Sequence, residues 1–289
     1  MLALLKRHGW NVTSFQILEP GFRYWFDDDA CVAYVDTGRA WVAAGAPLAA
    51  PERLADVAAG FIAAAAQAGR RACFFATERR FVDSAQRSGV PSIESAQRSG
   101  APSIAAAPLP RLAIGEQAVW DPAAWAESLR GARSLREQLR RARAKGVRVR
   151  ALSAAELADP DSAARQALEG LMRRWLGSRP MAPMGFLVQL HLYGHPEERR
   201  CFVAELDGSI VGALGVVPVY ARGGWFLEDL LRAPGAPNGT AELLVDAAMR
   251  AAAESGVRFA TLGLAPLSGV PTGWLRAVRQ VSTGLYDFE

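Results

Sequence analysis

The sequence predicts an α/β (α+β) fold of two tandem lobes, residues 1–117 and 118–289, each a mixed sheet flanked by helices. Three observations carry this. Strand-like and helical segments alternate twice, before and after a loop-rich stretch near residue 100. The length of 289 residues suits two domains, given typical domains of about 150 residues. With 51% hydrophobic residues, the chain can bury a large core.

In the first lobe, CVAYVDTG (31–38) and AWVAAGAP (40–47) read as two strands around a Gly-containing turn. PERLADVAAGFIAAAAQAG (51–69) reads as a helix opened by Pro51 and closed by Gly69. RRACFFATE (70–78) reads as a buried strand, and FVDSAQRSG (81–89) as a short helix. SAQRSGVPSIE (84–94) is then echoed by SAQRSGAPSI (95–104). Such a copy is too short for a solenoid repeat and reads as a local duplication that lengthens a loop. AAAPLPR (105–111) continues the connection.

The second lobe opens with a strand, LAIGEQAVWD (112–121), and a helix start at Asp121-Pro122. Residues 123–146 read as one helix with an apolar stripe at Leu129, Ala132, Leu135, Leu139 and Ala142. From Arg130 to Arg150, nine basic residues stand against one acid, Glu137. Gly146 ends that helix and VRVRAL (147–152) reads as a strand. A helix follows over 162–179, then a hairpin over 200–220 turning at Asp207-Gly208. GGWFLEDLLR (223–232) is a strand, AELLVDAAMRAAAESG (241–256) an amphipathic helix, and VRFATLGLAP (257–266) a further strand. Helix, hairpin, strand, helix, strand is the layout of a GNAT-type acyltransferase lobe.

Composition sets further bounds. A formal charge of +4 says little until the charges are placed. The most apolar helix, 55–69, is shorter than the about 20 residues that cross a bilayer, and MLALLKRHGW lacks a signal-peptide layout. Cys31, Cys73 and Cys201 lie in separate apolar runs, as buried free thiols of a reducing compartment do. His8, His191 and His195 are scattered and read as structural, and no Cys/His spacing suits zinc.

The chemistry concentrates in FLEDLLRAPGAPNGTAELL (226–244). A Gly-rich loop before a helix can cradle a pyrophosphate. Here Pro234 and Pro237 remove two amides, and Pro237 stands where the second glycine of a CoA-binding loop belongs. Asp229 and Arg232 lie three apart, which on a regular strand sends them to opposite faces. A bend or bulge after Leu230 would bring them together, as a structural ion pair or as a pair that orients substrate. The basic helix reads either as a solvated face or as a surface for a polyanion, RNA or an anionic bilayer. Phe22, Tyr24, Trp25 and Phe26 read as core or lobe interface, or as a membrane-contacting set.

Taken together, GWNVTSFQILEPGF (9–22), IGEQAVWDPAAW (114–125), SLREQLRRARAKGVRV (134–149), EDLLRAPGAPNGTAELLVDAAM (228–249) and LGLAPLSG (262–269) resemble the C-terminal domain of the phosphatidylglycerol lysyltransferase family. The resemblance spans nearly the whole chain and implies two tandem GNAT-like lobes. It implies transfer of a lysyl or alanyl group from aminoacyl-tRNA to phosphatidylglycerol or a related acceptor, with neither acetyl-CoA nor a metal. It also implies a cytoplasmic domain, peripheral at the inner face of the membrane. By the same resemblance Asp229 and Arg232 fall in a catalytic D-x-x-R. Glu228, Asn238, Gly239, Gly263, Pro266 and Ser268 fall among substrate-binding positions. Arg133, Arg136, Arg140 and Arg143 become contacts for tRNA or anionic lipid. WLGSRPMAPMGFLVQL (175–190) keeps only Gly185-Phe186 of a run common in the family. The chain ends at LYDFE, ahead of a Lys-containing tail that the family pattern leads one to expect.

Overall fold

A computed structural model describes residues 1–87, 111–178, 190–266 and 268–269. Most of the duplicated segment, Gly185-Phe186 and the C-terminal segment from 270 lie outside these residues.

The first lobe is a four-stranded sheet in the order β1 (Arg23–Asp27), β2 (Ala30–Asp36), β3 (Ala40–Ala44), β4 (Arg71–Phe75). The first three strands are antiparallel. β3 and β4 are parallel because a helix connects them. That helix, here α2 (Leu54–Gln67), follows α1 (Leu2–His8) and buries Leu54, Val57, Ala58 and Phe61 on the sheet. Phe61 lies 5.4–6.0 Å from the rings of Trp25, Tyr34, Trp41 and Phe74. α3 (Arg79–Arg87) adds Phe81 to this core. Along β1 the pleat turns Trp25 inward and leaves Tyr24 and Phe26 exposed, so the aromatic run divides between core and surface. β4 is only half-buried and Cys73 is exposed, contrary to the buried strand and thiol expected. Among the described residues β4 is an edge strand with β3 as its one strand neighbour.

The second sheet has six strands in the order β5 (Gly115–Trp120), β10 (Phe259–Pro266), β9 (Gly224–Arg232), β8 (Ser209–Val219), β7 (Arg200–Leu206), β6 (Arg148–Leu152). The expected division at 117/118 falls inside β5. Only β9 and β10 pair in parallel, joined by α8 (Thr240–Glu254). The basic segment is two helices, α4 (Trp125–Gly131) and α5 (Arg133–Ala144), rather than one. The helix breaks after Gly131, at Ala132, and Arg136 donates to the freed carbonyls of Leu129 and Arg130. α4, α5 and α8 cover one face of the sheet. α6 (Ala154–Ala158), which has a Ser153/Glu156 capping box, and α7 (Ala163–Gly177) cover part of the other.

The rest of that second face meets the first lobe. Leu5, Val12, Phe15, Ile17 and Leu48 pack on Val217, Val219, Phe226 and Phe259. Arg222–Glu78 at 3.0 Å and the Ala221 amide on the Gly9 carbonyl at 3.0 Å tie the lobes at the rim.

Candidate active site

Two strand irregularities shape the site. On β9, Leu227 pairs with Val216 and Leu230 with Leu214, so Glu228 and Asp229 together oppose Gly215. This is a β-bulge, and it spares the pair the usual alternation of faces. A Cβ at Gly215 would sit 3.4 Å from that of Asp229. Pairing between β9 and β10 also stops at Phe226–Thr261, although both strands run on. β10 carries its own shift at Leu262–Gly263, where Gly263 has φ +82° and packs against the Phe226 ring. The Gly263 amide donates to Thr261 Oγ1 at 2.9 Å, and that hydroxyl donates to the Ala118 carbonyl at 2.6 Å.

Glu228 and Asp229 face a buried arginine, Arg199, which precedes β7. The Arg199 amide bonds to the His195 carbonyl at 3.1 Å, and its Nε to the Gly194 carbonyl at 3.3 Å. The guanidinium, 1% exposed, lies 2.8 Å from Glu228 Oε2 and 3.6 Å from Glu19 of the first lobe. Phe15 lies under it at 5.4 Å. Glu228 is 5% exposed, and its Oε1 accepts no hydrogen bond among the described residues. Three carboxylates therefore share one guanidinium. Burial pushes the Asp229 carboxyl up to about 7; the charge of Glu228 adds to the rise and Arg199 opposes it. Burial likewise raises Glu19 to about 8, with Glu228 adding and Arg199 opposing. Burial also raises the nearby Cys201 thiol to about 12.

Asp229 and Arg232 do not pair. The bulge lies at 228–229, ahead of Leu230, and unites Asp229 with Glu228 instead. Arg232 is exposed and donates to the Ala236 carbonyl at 3.2 Å. In the loop that follows, the Ala233, Ala236 and Thr240 amides bond to carbonyls of Val211, Ala233 and Pro237. Asn238 is exposed, whereas Gly239 is buried at φ +91° against the Gln138 carbonyl of α5. Pro266 ends β10 opposite Gly115. Ser268 donates to Glu116 at 3.5 Å.

Of the arginines of the basic segment, Arg133, Arg136, Arg140 and Arg143 are exposed, but three of these are engaged. Arg136 holds the end of α4, Arg140 forms a two-pronged pair with Glu137 at 2.8 and 2.9 Å, and Arg143 meets the buried Asp246 at 2.7 Å. Arg133 has no ion pair among the described residues. Beside them Arg130, Arg136, Arg140, Arg143 and Arg250 line a groove of about 720 Å³ between α4, α5 and α8.

Sequence reasoning overlooks Glu19 and Arg199. Glu19 does lie within the motif GWNVTSFQILEPGF, where an acid follows an apolar run. Nothing local distinguishes Arg199 from its neighbour Arg200, which is exposed.

Among known proteins, the family described as "Phosphatidylglycerol lysyltransferase, C-terminal" matches residues 2–288. A lysylphosphatidylglycerol biosynthesis bifunctional protein LysX of Mycobacterium marinum is 31% identical over 150 residues, covering 50% of this chain and 13% of that protein. The LysX protein of Mycobacterium sp. (strain KMS) is 29% identical over 174 residues, 55% and 15% of the two chains. This chain therefore spans only a small part of those relatives. The fold matches the C-terminal domain of a putative lysylphosphatidylglycerol synthetase from Agrobacterium fabrum with a TM-score of 0.76, at 19% identity over 97% and 79% of the chains. It matches L-PGS from Bacillus licheniformis equally, at 0.76 and 20% identity over 100% and 83%. The chain belongs to the phosphatidylglycerol lysyltransferase C-terminal family, a family of transferases.

Proposed function

We propose that this domain transfers an aminoacyl group, of lysyl or alanyl type, from aminoacyl-tRNA to phosphatidylglycerol or a related acceptor. The observation that carries the reading is the β9 bulge. It presents a carboxyl that titrates near neutrality, Asp229, where the parallel pairing of β9 and β10 has ended. A base poised near the working pH is suited to proton transfer. In this mechanism the acceptor hydroxyl attacks the ester carbonyl and Asp229 takes its proton. The bond to the tRNA ribose oxygen then breaks, and that oxygen receives the proton from Asp229. Holding ester and hydroxyl together supplies much of the rate. Arg232, exposed at the loop mouth, has N–H groups left for a phosphate of either substrate. Asn238 and Gly239 precede the helix α8, and Gly263, Pro266 and Ser268, on and just after β10, would contact substrate from that strand.

The basic groove beside α5 supports a polyanionic partner, because five arginines line it and no acid does. No helix among the described residues is long and apolar enough to cross a membrane. The domain would meet its lipid from the surface, with Arg133 and Arg140 toward phosphates. A CoA-dependent transfer finds less support: two prolines and three inward-bonded amides leave the Arg232–Thr240 loop few donors for a pyrophosphate. Radiolabelled aminoacyl-tRNA and phosphatidylglycerol vesicles test the reading. Chloroform-extractable label that falls at least about 100-fold with Asp229→Ala is expected. Acetyl transfer from acetyl-CoA in place of label transfer would overturn it.

A further inference from the structure

We propose that the first lobe carries a phosphate-binding site at one end of its sheet, formed by Arg39, Arg70 and Arg71, whose ligand is a lipid headgroup or a soluble phosphate ester. The site uses none of the residues assigned to transfer, so it stands apart from that reading. The three arginines line a groove of about 660 Å³ together with Gly38 and Gly69, and no acid lines it.

Strand pairing gathers the charges. β3 and β4 run in parallel with Ala40 opposite Arg71, and the Arg71 amide donates to the Arg39 carbonyl at 3.1 Å. Arg39 therefore enters one strand beside Arg70 and Arg71, which enter the next. Arg23, at the start of β1, reaches the same end: Arg23 and Arg70 meet Asp36 at 3.5 and 3.2 Å. Asp36 also accepts from the Gly38 amide at 2.8 Å. That amide, and then Arg70, hold its carboxyl below the usual range, so it stays ionised and engaged. Arg39 and Arg71 are exposed and have no ion pair among the described residues. Like charges on neighbouring strands repel, and an anion between them removes that cost. The acids Asp27 and Asp29 sit by the β1–β2 turn, at the other end of the strands, and are paired with Arg53.

The groove also has the shape and donors for the ligand. Gly38 and Gly69 have φ of +82° and +67°, and a Cβ at either would meet nothing within 4 Å, so its mouth is open. Arg70 is fixed by Asp36 and by the Ala68 carbonyl at 3.4 Å, which leaves its second terminal nitrogen for a ligand. A guanidinium presents paired N–H groups that match two oxygens of a phosphate. Three arginines at a single sheet end suit one phosphate group, whereas a nucleic-acid backbone calls for a row of cations.

The test uses the intact chain in three arms: calorimetric titration with inorganic phosphate, co-sedimentation with phosphatidylcholine vesicles with and without phosphatidylglycerol, and binding of a short RNA duplex. Binding of phosphate or of the anionic vesicles is expected, weakened about tenfold or more by Arg39→Gln combined with Arg71→Gln. Arg7→Gln combined with Arg79→Gln removes the same charge from exposed positions elsewhere in the lobe and should change binding less than about threefold. Unchanged urea midpoints show that both double variants fold. Weakened vesicle binding assigns a lipid headgroup, and weakened binding of phosphate alone assigns a soluble ester. No binding of phosphate or vesicles, equal losses in the two double variants, or a loss confined to the RNA duplex overturns the inference.

Discussion

Asp246 of α8 ties α4 and α5 to that helix, and the strength of that tie follows from its contacts. Its side chain is 2% exposed. It accepts from Trp125 Nε1 at 3.0 Å, Arg143 at 2.7 Å and Arg250 at 3.0 and 3.1 Å. Asp246→Ala leaves the Trp125 N–H buried without an acceptor, at a cost of about 1–3 kcal/mol. Arg143 and Arg250 are 52% and 53% exposed, so water replaces most of what they lose. Their share is about 1 kcal/mol together, and the void adds roughly 1 kcal/mol. The expected loss is about 4 kcal/mol. Asp246→Asn keeps an acceptor for Trp125 and should cost about 1–2 kcal/mol. Urea denaturation of both variants at unchanged m measures this. A loss below about 1 kcal/mol for the alanine variant, or equal losses for both variants, would show that Asp246 does not hold Trp125 in this way.

Three further outcomes follow from the same structure. Glu19 and Asp229 bind protons more tightly in the folded chain than ordinary carboxyls at 4.5 and 3.8 do, so the stability these two groups contribute is fully present at acid pH and is lost as pH rises through about 7 and about 8. The fall is on the order of 4 kcal/mol once the mutual coupling of the two groups and the water near Glu19 are allowed for. Glu228→Gln should make it shallower in urea titrations at pH 5 and pH 8. Gly239→Ala forces a side chain into the Gln138 carbonyl at φ +91° and should cost about 2–4 kcal/mol by the same assay. Alanine at Arg133 and Arg140 should reduce the slope of log affinity for tRNA against log salt by about 0.7–0.9 for each phosphate no longer neutralised; an unchanged slope removes them from the interface.

Much of the fold is legible because its signals are local. Asp207-Gly208 marks a hairpin, Gly256 closes α8, and the apolar stripe of α5 faces inward. The Ser153-x-x-Glu156 capping box is equally local, yet the five-residue α6 is easily passed over between two longer elements. β1 escapes the pattern because its aromatics alternate between core and solvent over only five residues. The break at Ala132 is held by Arg136 reaching back to two carbonyls, which periodicity does not encode. At the site, the carboxylates and the D-x-x-R are readable as residues, but their partners are not. A one-residue bulge decides which acids share a face. Arg199 and Glu19 come from distant segments, one of them in the other lobe, and meet Glu228 only in the folded chain.

In the proposed reaction Asp229, held near neutrality by burial and its acidic neighbours, moves the proton in aminoacyl transfer. Single-turnover transfer from labelled aminoacyl-tRNA to phosphatidylglycerol vesicles, followed from pH 5 to pH 8 and corrected for uncatalysed ester loss, tests it most directly. The rate should rise about tenfold per pH unit up to about 7 and then level. A flat profile across that range would rule out Asp229 as the base.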